Sequence, residues 1–195
     1  MKAVAVLLLI AGVSLAGTGA AGFFQVKKAQ HISYRKAEQV LKTNAAIPDH
    51  LAEKAFEPKH GAVVGMLEIP KLEARLPIIE GTDEDELEKG VGHFKGTAYP
   101  LGNDQIVLSG HRDTVFRKMG ELETGDLFIL KLPYGSFTYK MDSSQIVDAN
   151  DRTIIKPTAP KEVLTVTTCY PFTFIGNAPE RYIITALPAD ENINR

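Results

Sequence analysis

Leu164-Thr165-Val166-Thr167-Thr168-Cys169-Tyr170-Pro171-Phe172 is a β-branched run that stops at a proline. Val and Thr are stiff at χ1 and suit an extended, half-buried chain. Pro171 cannot donate to a sheet ladder, so the strand is expected to end around Cys169 and to pass into a loop. Twelve positions beyond Cys169, Arg181 opens a second apolar run, Arg181-Tyr182-Ile183-Ile184. If the two runs pair as antiparallel neighbours, Cys169 and Arg181 can end on the same rim.

Working outward, the chain from Ala62 onward keeps this texture, with short β-rich runs alternating with turn signals. Strands are predicted at Val63–Ile69, Leu76–Glu80, Gln105–Ser109, Asp126–Leu132, Ser136–Met141, Gln145–Asp148, Val163–Thr168 and Arg181–Ala186. Tyr134-Gly135 marks a hairpin. One helix stands out, with a capping-box pattern at Thr82-Asp83-Glu84-Asp85, an apolar contact from Leu87 and a C-cap at Gly90. Asp83 to Glu88 then reads as a solvated acidic face. About eight short strands with few helices predict an all-β fold, a small closed or nearly closed β-barrel.

The N-terminal part is different in kind. From Ala3 to Val26 there is no ionisable side chain, and about 20 such residues cross a hydrocarbon core as a helix. This run exceeds a signal-peptide core of about 7–15 residues. That favours a retained transmembrane anchor over a cleaved secretory signal with Gly19, Ala20 and Ala21 near the cut. Lys27, Lys28, Arg35 and Lys36 follow, and charge bias alone would place that side in the cytoplasm. Lys27 to Lys42 reads as a polar, helix-prone stalk and a solvated spacer, with Ala29, Ile32, Ala37, Val40 and Leu41 as sparse apolar positions. Pro48 and Pro58 punctuate a linker ending near Gly61. The division is therefore 1–26 anchor, 27–60 stalk and linker, and 61–195 folded barrel.

Composition narrows the chemistry. The chain is 44% apolar and 24% charged, with a net charge of −2, which gives none of the basic excess of a nucleic-acid binder. Its single cysteine, Cys169, excludes an internal disulfide and any cysteine-rich metal site within one chain. A second candidate comes from Ile106-Val107-Leu108-Ser109-Gly110-His111-Arg112, an apolar strand that stops at glycine and delivers His111. A thiol, an imidazole and a guanidinium make a usable acyl-transfer set. The thiolate attacks, the imidazole moves protons, and the permanent cation donates to an oxyanion. With ordinary values of about 8.5 for Cys and 6.5 for His, a thiolate–imidazolium pair forms in only about one molecule in a hundred at pH 7. Either the site perturbs those values or the enzyme works through a minor population.

Three separated motifs agree in type and order with one family. Ser109-Gly110-His111-Arg112, Thr165-Val166-Thr167-Thr168-Cys169 and Arg181 at the head of an apolar strand together resemble the signature of the sortases. Gly92-His93-Phe94 and Asn103 to Ile106 also resemble that family's approach to its histidine strand. The resemblance spans roughly Gly61 to Pro188, and the Thr168-Cys169-Tyr170-Pro171-Phe172 string looks most like class D sortases of Gram-positive bacteria. It implies a sortase-like barrel in which Cys169 forms a thioester, His111 is the general acid/base, and Arg181 stabilises the oxyanion and helps bind substrate, with Thr168 assisting. It implies partners too: surface proteins carrying an LPxTG-like sorting signal, and peptidoglycan or a lipid-linked cell-wall precursor as the amine source. A barrel outside the cell on a single membrane span follows from the same resemblance.

No cofactor is implied. Some members bind calcium with acidic residues after the segment equivalent to Gly92-His93-Phe94, but Lys95-Gly96-Thr97-Ala98 has no carboxylate, so no metal site is transferred. With no second hydrophobic span, the chain does not look like the pilin-polymerising class. His93 is expected to be structural or accessory. An extracytoplasmic cysteine peptidase that only hydrolyses, or a non-catalytic β-barrel binding module, would use the same fold differently.

Overall fold

The computed structural model describes residues 2–42, 56–174 and 176–189. Pro48 and the last six residues, on which parts of the linker and barrel boundaries rest, lie outside the described residues.

Eight strands close into one barrel in the order β1-β2-β3-β4-β7-β8-β6-β5. They are β1 Val63–Ile69, β2 Ala74–Glu80, β3 Val91–His93, β4 Gln105–Gly110, β5 Leu127–Leu132, β6 Gly135–Asp148, β7 Val163–Tyr170 and β8 Glu180–Pro188. Closure leaves no open sheet edge to attract another chain. Leu67, Ile69, Ile106, Leu108, Phe128, Leu130, Leu164, Val166, Ile184 and Ala186 fill the interior. Each pair within one strand is two residues apart, the period at which a strand presents one face.

Seven of these strands coincide with predicted ones, and the differences have local causes. Two predicted strands merge into β6, whose polar Asp142-Ser143-Ser144 reads as a turn but forms a bulge at Met141/Ser143. There the strand leaves its pairing with β5 and continues along β8. β3 is too short for periodicity to reveal. The hairpin at Tyr134-Gly135 forms, with Leu132 paired to Gly135. A short helix α2 covers Glu84–Lys89, with Asp83 at its N-cap making no side-chain capping bond, so the expected capping box is not formed, whereas Gly90 occupies the C-terminal position. The acidic face is not wholly solvated either: Glu86 is buried, with its carboxylate near His60 and Lys89.

The N-terminal helix α1 runs unbroken from Lys2 to Lys42, and its first half is long and apolar enough to cross a membrane. The solvated-spacer expectation for its second half is corrected. Ser33 and Ala37 are buried, and Arg75 of β2 donates to Tyr34 Oη at 2.6 Å. These positions recur every three or four residues, one stripe of a helix. The stripe escapes a hydropathy reading because it is built of small and polar side chains.

Candidate active site

The site lies on the outer face of the barrel, across β4, β7 and β8. Strand alternation decides this. Leu164 and Val166 point into the core, so Thr165, Thr167 and Cys169 share the opposite face. By the same period Val107 and Ser109 of β4, and Arg181 and Ile183 of β8, face the same cleft.

Register brings the three candidates together. β7 and β8 are antiparallel, with Cys169 paired directly to Arg181. Directly opposed residues carry Cβ atoms about 4.5–5.5 Å apart. β4 runs parallel to β7 with Gly110 beside Thr168, so the next residue on each strand is His111 and Cys169. Thr168 Oγ1 donates to Gly110 O at 2.7 Å and fastens the two strand ends together. Glycine is required at 110 because a Cβ there would stand 2.6 Å from the Phe116 ring. Cys169, His111 and Arg181 are each partly exposed and line one cleft of about 360 Å³.

The Arg181 guanidinium is held by its own loop, with Nη1 donating to Ala178 O at 3.1 Å and Glu180 O at 2.9 Å. Its Nε and Nη2 have no partner among the described residues and remain available to a ligand oxygen. Arg112 donates through Nη2 to Phe174 O at 2.6 Å and Gly176 O at 2.7 Å, tying the β7–β8 loop to the segment that carries His111.

The cleft wall contributed by the β6–β7 connection was not legible in the sequence. Ile154 and Ile155 line it. Gln105 Nε2 donates to Ile154 O at 2.8 Å and Thr165 Oγ1 at 2.9 Å, while its Oε1 accepts from Lys156 N at 2.9 Å. Asp104 Oδ1 accepts backbone N–H groups of Thr158, Gln105 and Ala159. Those donors, Thr158 foremost, hold its carboxyl below the usual carboxylate range. No sequence signal marks Asp104 and Gln105 for this task, since their partners lie about fifty to sixty residues away.

His93 is not in the cleft. It is buried and stacked on Tyr99 with centroids 4.0 Å apart, and both ring nitrogens face acceptors. Nδ1 lies 2.7 Å from Glu80 Oε2 and Nε2 lies 3.0 Å from Ala98 O. Tyr99 Oη donates to the same Glu80 oxygen at 2.6 Å. Burial pushes the Glu80 carboxyl up, but the hydrogen bonds from His93 and Tyr99 outweigh it and hold the group below its ordinary value. His93 thus serves structure, in a polar cluster bracing β2 against β3.

Glu80→Ala would leave two buried groups without their acceptor. It is expected to lower the unfolding free energy by about 3 kcal/mol. Because the folded carboxyl titrates below the ordinary 4.5, its contribution is full above that pH and disappears as the pH falls through the folded value. Urea midpoints measured against pH should therefore fall in acid for the wild type and show a smaller acid dependence in the variant.

A sortase domain family model matches residues 67–189. The chain is 46% identical to Sortase D of Bacillus subtilis over 190 residues, 94% of this chain and 96% of that one. Among solved structures it is similar to the catalytic domain of B. anthracis SrtD, at 47% identity and TM-score 0.58, covering 69% of this chain and 92% of that one. It also resembles a Clostridium perfringens Sortase D5 transpeptidase, with a TM-score of 0.71 over 84% of this chain and 99% of that one. At 24% identity this last likeness bears on the fold alone.

Proposed function

Since the chain belongs to the sortase family and is a cysteine transpeptidase, we propose that Cys169 is its nucleophile, His111 its general acid/base and Arg181 its oxyanion donor. The observation that carries this reading is the pairing of Cys169 with Arg181, one register step from the strand end that delivers His111.

Sortases act on LPxTG-type proteins and cell-wall precursors. On this chain the Cys169 thiolate attacks the carbonyl carbon of the sorting-signal threonine. A C–S bond forms, and the carbonyl oxygen takes up negative charge opposite the free guanidinium nitrogens of Arg181. His111 gives a proton to the departing amine as the C–N bond breaks, leaving a thioester on Cys169. A cell-wall amine then attacks that thioester, His111 accepts its proton, and the thiolate is released.

Thr168 borders the cleft next to the sulfur but is buried, with its hydroxyl committed to Gly110, so it assists substrate binding by holding together the strand ends that carry Cys169 and His111. The apolar wall of Ile154, Ile155 and Ile183 suits an extended peptide with few polar anchors. In the assembled protein, residues 1–26 anchor the chain, residues 27–60 link and brace it, and residues 61–195 form the catalytic barrel outside the cell. Its partners are surface proteins with an LPxTG-like signal, and peptidoglycan or its lipid-linked precursor.

Incubating the enzyme with an LPxTG-type peptide and an amine, then weighing the products, tests the assignment. The ligated amide should form and should grow with amine concentration. Hydrolysis product alone, at every amine concentration, would contradict it.

A further inference from the structure

A second cleft, of about 460 Å³, opens between α1 and the barrel, away from Cys169. Its walls are of two kinds. Phe23 and Val26 from α1, with Leu72 and Leu76 from the barrel, are apolar. Lys27 of α1, and Arg117 and Lys118 from the segment after His111, are cationic. Asp113 is the single carboxylate in the lining.

None of the three cations is paired with a carboxylate among the described residues. Lys27 Nζ stands 5.7 Å from the centroid of the Phe23 ring. Arg117 spends Nε and Nη2 on Asp113 O, and its Nη1 has no partner among the described residues. Gln30 also lines the cleft, and its buried Nε2 has no acceptor among the described residues.

The place of the cleft along α1 identifies its chemistry. The charge-free run ends at Val26 and the cation that follows it is Lys27, so the cleft spans the level where hydrocarbon gives way to headgroups. A ligand that is apolar on one side and anionic on the other fits both walls. We propose that this cleft binds an anionic glycerophospholipid of the membrane, its phosphate held by Lys27, Arg117 and Lys118 and its glycerol and upper acyl carbons held by Phe23, Val26 and Leu72. The inference rests on α1 being a membrane anchor. It gives the basic residues after the span a task other than setting orientation. Lipid bound here would also fix the height of the His111 segment above the bilayer, since Arg117 and Lys118 belong to the loop that His111 begins.

The full chain in nanodiscs tests the proposal, with phosphatidylcholine alone or with added phosphatidylglycerol. Native mass spectrometry after release counts retained lipid. The wild type should retain phosphatidylglycerol over phosphatidylcholine, and each charge removed by Lys27→Gln, Arg117→Gln or Lys118→Gln should weaken that preference about fivefold. A control triple, Lys59→Gln, Lys140→Gln and Lys161→Gln, should retain it. Equal retention of both lipids by the wild type, no loss in the cleft variants, or equal loss in the control would overturn the site. Complete displacement by inorganic phosphate would overturn its assignment to lipid. Resistance to alkaline extraction from membranes reports the anchor separately, so a chain that stays inserted but shows no lipid preference refutes the cleft and leaves the anchor standing. Melting curves of each variant verify that the barrel is intact.

Discussion

Cys169→Ala is expected to abolish both cleavage of an LPxTG-type peptide and its transfer to an amine, a loss of at least about 10⁴-fold. Alanine offers no attacking atom, and the surrounding groups cannot substitute. Arg181 is permanently protonated, and a water activated by His111 would have to reach the carbonyl from the position the sulfur occupied. The fold should be indifferent to the change. Cys169 sits near the end of β7 on the outer face, partly exposed and outside the packed interior, so losing one sulfur leaves no core cavity. Peptide turnover with chromatographic product detection, beside a thermal melt, separates the two effects. An inactive variant with a wild-type melting temperature is the expected result.

His111→Ala is expected to reduce transfer by about 10²–10⁴-fold, the range of a positioned acid/base. β4 and β7 are parallel and in register up to Gly110 beside Thr168, and the Thr168 hydroxyl ties those ends together. The imidazole therefore leaves the sheet next to the sulfur and can serve both the leaving and the incoming amine. The variant should lose one limb of the pH dependence of kcat/KM, whereas a merely structural role would lower the rate at every pH alike. Small uncharged alkylating reagents should still reach Cys169, because its exposure does not depend on the ring. Gly110→Ala offers a contrast, since its Cβ would press on Phe116 and displace the strand end without altering any reacting group.

The barrel was largely legible because its strands are β-branched, short and bounded by turns. The pattern at Val63–Ile69 matches the bounds of β1, and those at β4, β7 and β8 match to within two residues at either end. β3 escaped because three residues, Val91 to His93, carry no measurable period between Gly90 and the following loop. The bulge in β6 escaped because a polar triplet inside a strand looks like a turn until the partner strand is known. Docking of α1 escaped for a different reason: Ser33 and Ala37 are small enough to let a helix approach a sheet closely, yet add little to a hydropathy pattern.

Cys169, His111 and Arg181 stand out as candidates in the sequence because each lies where a strand opens or closes and a side chain is delivered to a rim. What holds the cleft wall does not. Asp104 and Gln105 act through backbone groups of the β6–β7 connection, and only the folded topology brings those partners near. The same holds for Arg112, which looks like a companion of His111 in the sequence but grips the carbonyls of Phe174 and Gly176.

The most direct test is the intact mass of the wild-type chain mixed with a sorting peptide and no amine, followed by peptide mapping. An added mass equal to the peptide up to its threonine is expected, located on Cys169 and discharged when an amine is supplied. Turnover without any such adduct, or an adduct mapped to another side chain, would contradict it.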